Sequence, residues 1–77
     1  MQVKVYSTPT CPYCRMVKEY LSSKGIAYEN IDVSSNPAMA EEMVNISGQM
    51  GVPVVVFGET VIIGFDKQRI DALIKKE

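Results

Sequence analysis

The chain has 77 residues with two cysteines and neither histidine nor tryptophan, enough for one small core but not for a second independently folding unit, so residues 1–77 read as a single domain. Its formal net charge of -1 and pI near 5.3 supply no electrostatic reason to bind nucleic acid or an anionic membrane. The longest apolar run, Val52 to Phe57, falls far short of the roughly 20 residues of a membrane helix.

Gln2 to Ser7 alternates weakly and gives way to Thr8-Pro9-Thr10, which predicts a strand followed by a loop. The opening Met1-Gln2-Val3-Lys4-Val5 has none of the apolar stretch of a secretory signal, so a cytoplasmic location is expected. From Cys11 onward Tyr13, Met16, Val17, Tyr20 and Leu21 recur at helical spacing, and Gly25 stands where a left-handed residue closes a helix. Ile26 to Val33 reads as a second strand. Joined to the first through a helix, it should lie parallel to it by a right-handed crossover.

Ser34-Ser35-Asn36-Pro37 supplies a cap and a first-turn proline for a second helix whose apolar stripe is Met39, Met43, Val44 and Ile46, with Gly48 at its end. Pro53 to Phe57 and Thr60 to Ile63 are β-branched runs separated by Gly58-Glu59, a two-residue hairpin signal. Asp66 caps a last helix that turns Ile70, Leu73 and Ile74 inward. The order β-α-β-α-β-β-α predicts an α/β domain, a small four-stranded mixed sheet flanked by three helices.

Chemistry is concentrated in Cys11-Pro12-Tyr13-Cys14. A free thiol with pKa about 8.5 is only about 3% thiolate at pH 7, whereas one lowered to about 5 at a helix N-terminus is almost fully ionised. Cys11 falls at the cap, where unpaired amides point at its sulfur, and Cys14 lies one turn inside. Cys11 is therefore expected to attack a disulfide and Cys14 to resolve the mixed disulfide that forms. Pro12 occupies the first helical position, where its missing N–H costs nothing, and Tyr13 offers a ring beside the thiol. A zinc site needs about four ligands, which one cysteine pair without histidine does not supply, so no metal site is expected. A purely structural disulfide gains little from closing so short a loop.

These residues carry a resemblance to the glutaredoxins of the thioredoxin-fold superfamily. The matches are Cys11-Pro12-Tyr13-Cys14, Leu21-Ser22-Ser23-Lys24-Gly25 closing the first helix, Val52-Pro53 before the hairpin and Gly64-Phe65-Asp66 before the last helix, in the family's order along the whole chain. The resemblance implies a thioredoxin-like fold and a dithiol–disulfide oxidoreductase of cell redox homeostasis, a monomer with no tightly bound cofactor. It implies a cis bond before Pro53, against the trans preference of X–Pro bonds in general, with the Val52 backbone pairing with substrate. It further implies glutathione as co-substrate, its γ-glutamyl end at Gly64, Phe65 and Asp66 and its glycyl carboxylate near Gln49.

Departures from the family pattern bear on the electron donor. Thr8 stands where many glutathione-using members have lysine, Gln49 is neutral, Gly51-Val52-Pro53 replaces Thr-Val-Pro, and Ile63-Gly64 replaces Gly-Gly. These bring the chain nearer to the glutaredoxin-like redoxins that serve ribonucleotide reductase and draw electrons from thioredoxin reductase, with Met50 and Phe65 as a candidate apolar surface. Glutathione and a thioredoxin-reductase-type flavoprotein both stand as donors. The alternative from another functional class is an iron–sulfur cluster carrier, in which Cys11 of two chains and two glutathiones hold a bridging cluster.

Overall fold

A computed structural model of the chain describes residues 3–75. Its elements are β1 (Val3–Ser7), α1 (Pro12–Ser23), β2 (Glu29–Asp32), α2 (Pro37–Ser47), β3 (Val54–Phe57), β4 (Thr60–Ile63) and α3 (Lys67–Lys75). The sheet order is β2-β1-β3-β4, with β1 parallel to β2 and antiparallel to β3, and β3 antiparallel to β4. The predicted thioredoxin-like arrangement is the one found. The expected first residue of the opening strand, Gln2, lies outside the described residues.

Alternation along the strands divides the core into two layers. Val3, Val5, Val55, Phe57 and Ile62 pack on one face against Val17 and Leu21 of α1 and Ile70 of α3. Tyr6, Ile31 and Val54 pack on the other against Met43 of α2. Because β1 and β3 run through the middle of the sheet, they are buried along nearly their full length. The C-terminal end of β1 therefore delivers the loop carrying Cys11 to the rim of a rigid platform.

Local signals set the ends of the helices. The Asn36 side chain accepts from the Met39 amide at 3.3 Å and Pro37 takes the first position of α2. Gly25 and Gly48 end α1 and α2 with φ of 73° and 77°, a region closed to most side chains. Gly58 alone of the two hairpin residues has positive φ, as a type II′ turn requires.

Three expectations are corrected. The second strand does not run from Ile26 to Val33, because the Ile26 amide is held by the Leu21 carbonyl at 2.9 Å in the closing turn of α1 and pairing with β1 begins only at Glu29. The inner row of α1 is Cys14, Val17 and Leu21. Tyr13 and Met16, each one position (about 100°) off that row, are exposed. Ile46 is 40% exposed, since it ends the stripe of α2 at the mouth of an open cleft that it shares with Lys4, Tyr6, Val56 and Gly58.

Tyr6 is fully buried and its hydroxyl donates to Glu42 Oε1 at 3.0 Å. Burial, then the bond and charge of Glu42, push its phenol up to about 12; Tyr20, whose hydroxyl donates to Asp71, is also pushed up to about 12. As the unfolded phenol ionises near its ordinary 10, the stability contributed by neutral Tyr6 is complete below pH 10 and is lost as pH rises toward 12. Tyr6→Phe is expected to remove one of these two late-ionising phenols from an ultraviolet titration and to cost about 1 kcal/mol at neutral pH. Two late phenols in the variant would show that Tyr6 is not one of them.

Candidate active site

Cys11 is the N-cap of α1, extended at φ -97° and ψ 111°, and Pro12 takes the first helical position. Its amide donates to the Thr8 carbonyl at 3.4 Å, and its own carbonyl accepts from the Arg15 amide at 3.2 Å, so the residue is fixed on both sides. In this pose the half-buried Cys11 Sγ accepts the Cys14 amide at 3.1 Å. The helix start that makes Cys11 a cap also makes it accessible.

Cys14 differs in its burial. It is 0% exposed, and burial, followed by the bond to Cys11, pushes its thiol up to about 11 against the smaller opposing pull of the Thr8 backbone and the Lys18 charge. Both cysteines are free thiols. A thiol raised in this way is held protonated at pH 7.

The peptide bond between Val52 and Pro53 is cis, as the resemblance implied. The Val52 carbonyl lies 3.9 Å from Cys11 Sγ, where the thiol can donate to it. Pro53 begins no strand, contrary to the expected Pro53–Phe57: without an N–H it cannot enter the ladder, and its carbonyl instead accepts from the Gly64 amide at 2.9 Å. That bond ties the end of β4 to the loop beside the thiols. Cys11, Cys14, Val52, Pro53 and Gly64 are thus linked through contacts on one side of the molecule.

The remaining predicted residues are placed differently. Tyr13 is 61% exposed. Phe65 is half-buried and meets the Tyr20 ring edge-on at 5.8 Å, serving the junction of α1 with the loop before α3. The Asp66 carboxylate accepts the Arg69 amide at 3.2 Å as the cap of α3. Gln49 folds onto the backbone of Gly51, donating from Nε2 to the Gly51 carbonyl at 2.9 Å and accepting the Gly51 amide on Oε1 at 2.6 Å. Both polar ends of the Gln49 carboxamide are therefore occupied within the chain.

Sequence reasoning missed the Thr8 backbone as a partner of the Cys11 amide and of the Cys14 thiol and missed the pairing of Gln49 with Gly51. The Gln-x-Gly spacing before Val-Pro was the available signal for the second. Thr8 acts through its backbone, which leaves no trace in side-chain identity. Among the described residues, no helix is long and apolar enough to cross a membrane.

Two unequal thiols at the head of a helix, beside an X–Pro loop on a mixed sheet with helices on both faces, define a thiol–disulfide oxidoreductase of the thioredoxin fold. Residues 3–62 match the Glutaredoxin family model. The chain is 47% identical over 74 residues to a glutaredoxin-like 8.6 kDa protein from the rubredoxin operon of Clostridium pasteurianum, covering 96% of this chain and 99% of that one. Among solved structures it superposes on a glutaredoxin from Archaeoglobus fulgidus with a TM-score of 0.89 at 30% identity, covering 96% of this chain and 86% of that one. It also superposes on the glutaredoxin-like NrdH-redoxin of Escherichia coli, a protein with a thioredoxin-like activity profile, with a TM-score of 0.86 at 29% identity and 95% coverage of each chain. The chain belongs to the glutaredoxin family.

Proposed function

We propose that this protein acts as one unit over residues 1–77, a monomer of the cytoplasm, and reduces protein disulfides by a two-thiol cycle. The observation that carries the reading is the inequality of the two sulfurs: Cys11 half-exposed and bonded by an amide at 3.1 Å, Cys14 sealed and pushed up to about 11. The Cys11 thiolate attacks one sulfur of the target disulfide, and the other sulfur leaves as a thiolate that takes up a proton. Cys14 then loses its proton and attacks Cys11 Sγ, the target's remaining sulfur leaves, and the Cys11–Cys14 disulfide closes. Two electrons have passed to the target, and the donor must return two.

Val52 lends its backbone to the incoming chain as a short strand pairing, with Pro12, Tyr13, Pro53 and Gly64 around the sulfur and Phe65 and Asp66 at the far rim. The donor we assign is a flavoprotein of the thioredoxin-reductase type. The glutathione contacts expected of Gln49 and Asp66 are engaged within the chain, and Thr8 brings no charge. The likeness to NrdH-redoxin supports the same assignment.

The test is a pair of NADPH-coupled assays on one protein disulfide, with thioredoxin reductase in one and glutathione plus its reductase in the other. The flavoprotein arm should be faster by at least about tenfold, the ~1.4 kcal/mol weight of one missing charged contact. Faster turnover with glutathione overturns the donor assignment and leaves the roles of Cys11 and Cys14 untouched.

A further inference from the structure

We infer that Gln49 is a positioning residue, whose carboxamide closes a two-bond clasp on Gly51 and so sets the direction in which Val52 offers its backbone to a disulfide-bearing strand. The inference rests on the proposed pairing of substrate with Val52. It starts from the two bonds between the Gln49 side chain and both backbone groups of Gly51, at 2.9 and 2.6 Å. A planar amide bonded in this way to the N–H and C=O of one residue restricts rotation on both sides of that residue. The next peptide plane leads into Val52, whose carbonyl is 3.9 Å from the attacking sulfur.

Three further observations bear on the clasp. It has an anchor: Ser47 Oγ, in the last turn of α2, lies 2.7 Å from the Met43 carbonyl and 2.9 Å from the Gln49 carbonyl. Contacts thus run unbroken from α2 through Ser47 and Gln49 to the thiol-facing loop. Packing holds the loop from Val52 onward, where that side chain lies against the second core layer, but not before it, since Met50 is 78% exposed and Gly51 has no side chain to bury.

The clasp also accounts for glycine at position 51. A Cβ there would stand 2.6 Å from Gln49 Oε1, inside the closest approach real atoms make. The obstructing atom is the free end of a flexible side chain, so a larger residue at 51 folds but pushes the carboxamide off. Gly51 and Gln49 are therefore interdependent, and replacing Gly51 should act by releasing Gln49.

The experiment compares the full chain with Gln49→Ala, Gly51→Ala and the double variant. KM and kcat are measured on an oxidised peptide disulfide, Cys11 alkylation by iodoacetamide at pH 7, and the Gln49 side-chain amide by nitrogen-15 NMR. Each single change should raise KM about fivefold with kcat within about twofold, the pattern of a lost positioning contact. Alkylation should stay constant, and the double variant should match the singles. In the parent protein the Gln49 amide proton bonded to the Gly51 carbonyl should be shifted and protected, and in Gly51→Ala it should take the values of a free glutamine. Additive KM effects, an unchanged KM with the clasp broken, or free-glutamine signals in the parent would each overturn the inference. A Cys11→Ser variant that still reduces disulfides sinks the underlying reading instead, and the amide signals report on the clasp independently.

Discussion

Cys11→Ser is expected to lower disulfide reduction by at least about a thousandfold, because a serine hydroxyl at neutral pH offers almost no anion and is a far weaker nucleophile than a thiolate. The Cys14 amide that meets Cys11 Sγ at 3.1 Å would still meet the serine oxygen, so the fold and substrate groove survive and the loss is chemical. Cys14→Ser differs in kind. Mixed disulfides still form on Cys11, and a second external thiol can resolve them, so the variant should retain turnover on mono-glutathionylated substrates while losing it on protein disulfides. Before any substitution, alkylation of the reduced native protein at pH 7 should give one adduct, on Cys11, with Cys14 reacting only after unfolding. Equal losses from the two serine variants, or equal alkylation of the two thiols in the folded state, would break the assignment of roles.

Leu21→Ala is expected to cost about 2–5 kcal/mol, the range for emptying a leucine-sized site that only partly collapses. Leu21 is fully buried in the layer that joins α1 to the sheet, among Val5, Val17, Val55 and Ile70. A chain of this length has a total stability of about 4–12 kcal/mol, so this one change removes a large share of it. Urea unfolding should show a lower midpoint with an unchanged slope. Met16→Ala, one turn away on the exposed flank of the same helix, should stay within about 0.5 kcal/mol. Similar losses from both changes would mean that the inner row of α1 is not the one formed by Cys14, Val17 and Leu21.

Those two helix positions show where a linear pattern runs out. The apolar content around 13–21 announces a helix, but its period is satisfied by two adjacent rows, one through Tyr13 and Met16 and one through Cys14, Val17 and Leu21. Which row faces the sheet depends on the angle at which the chain leaves β1. The cap at Cys11 sets that angle, through its bonds to Thr8 and Arg15. The same row choice buries Cys14 and leaves Cys11 open. The unequal chemistry of the thiols is thus a result of packing as much as of spacing.

β2 makes a related point. Ile26 and Tyr28 are apolar enough to suggest strand, and they do pack against the first core layer. Strand pairing nevertheless begins three residues later, because the Ile26 amide is already bonded to Leu21 at the end of α1. An apolar residue signals burial without saying which backbone partner it takes. Pro53 gives the opposite case, where the lack of an amide hydrogen foretold a break in the ladder that the β-branched run behind it obscured.

What the chain determines by itself is everything encoded in short-range chemistry: the order of elements, the capping of α2 and α3 by Asn36 and Asp66, the hairpin at Gly58, and the placing of Cys11 at a helix start. Each follows from backbone sterics and hydrogen bonding within about four residues, where the sequence distance is the spatial distance. Only the tertiary structure decided that Cys14 is sealed, that Val52 reaches Cys11 across 41 residues, and that the Gln49 carboxamide bonds the backbone of Gly51. Such outcomes depend on desolvation and on which polar groups compete for the same partner, and both exist only once the layers have closed on one another.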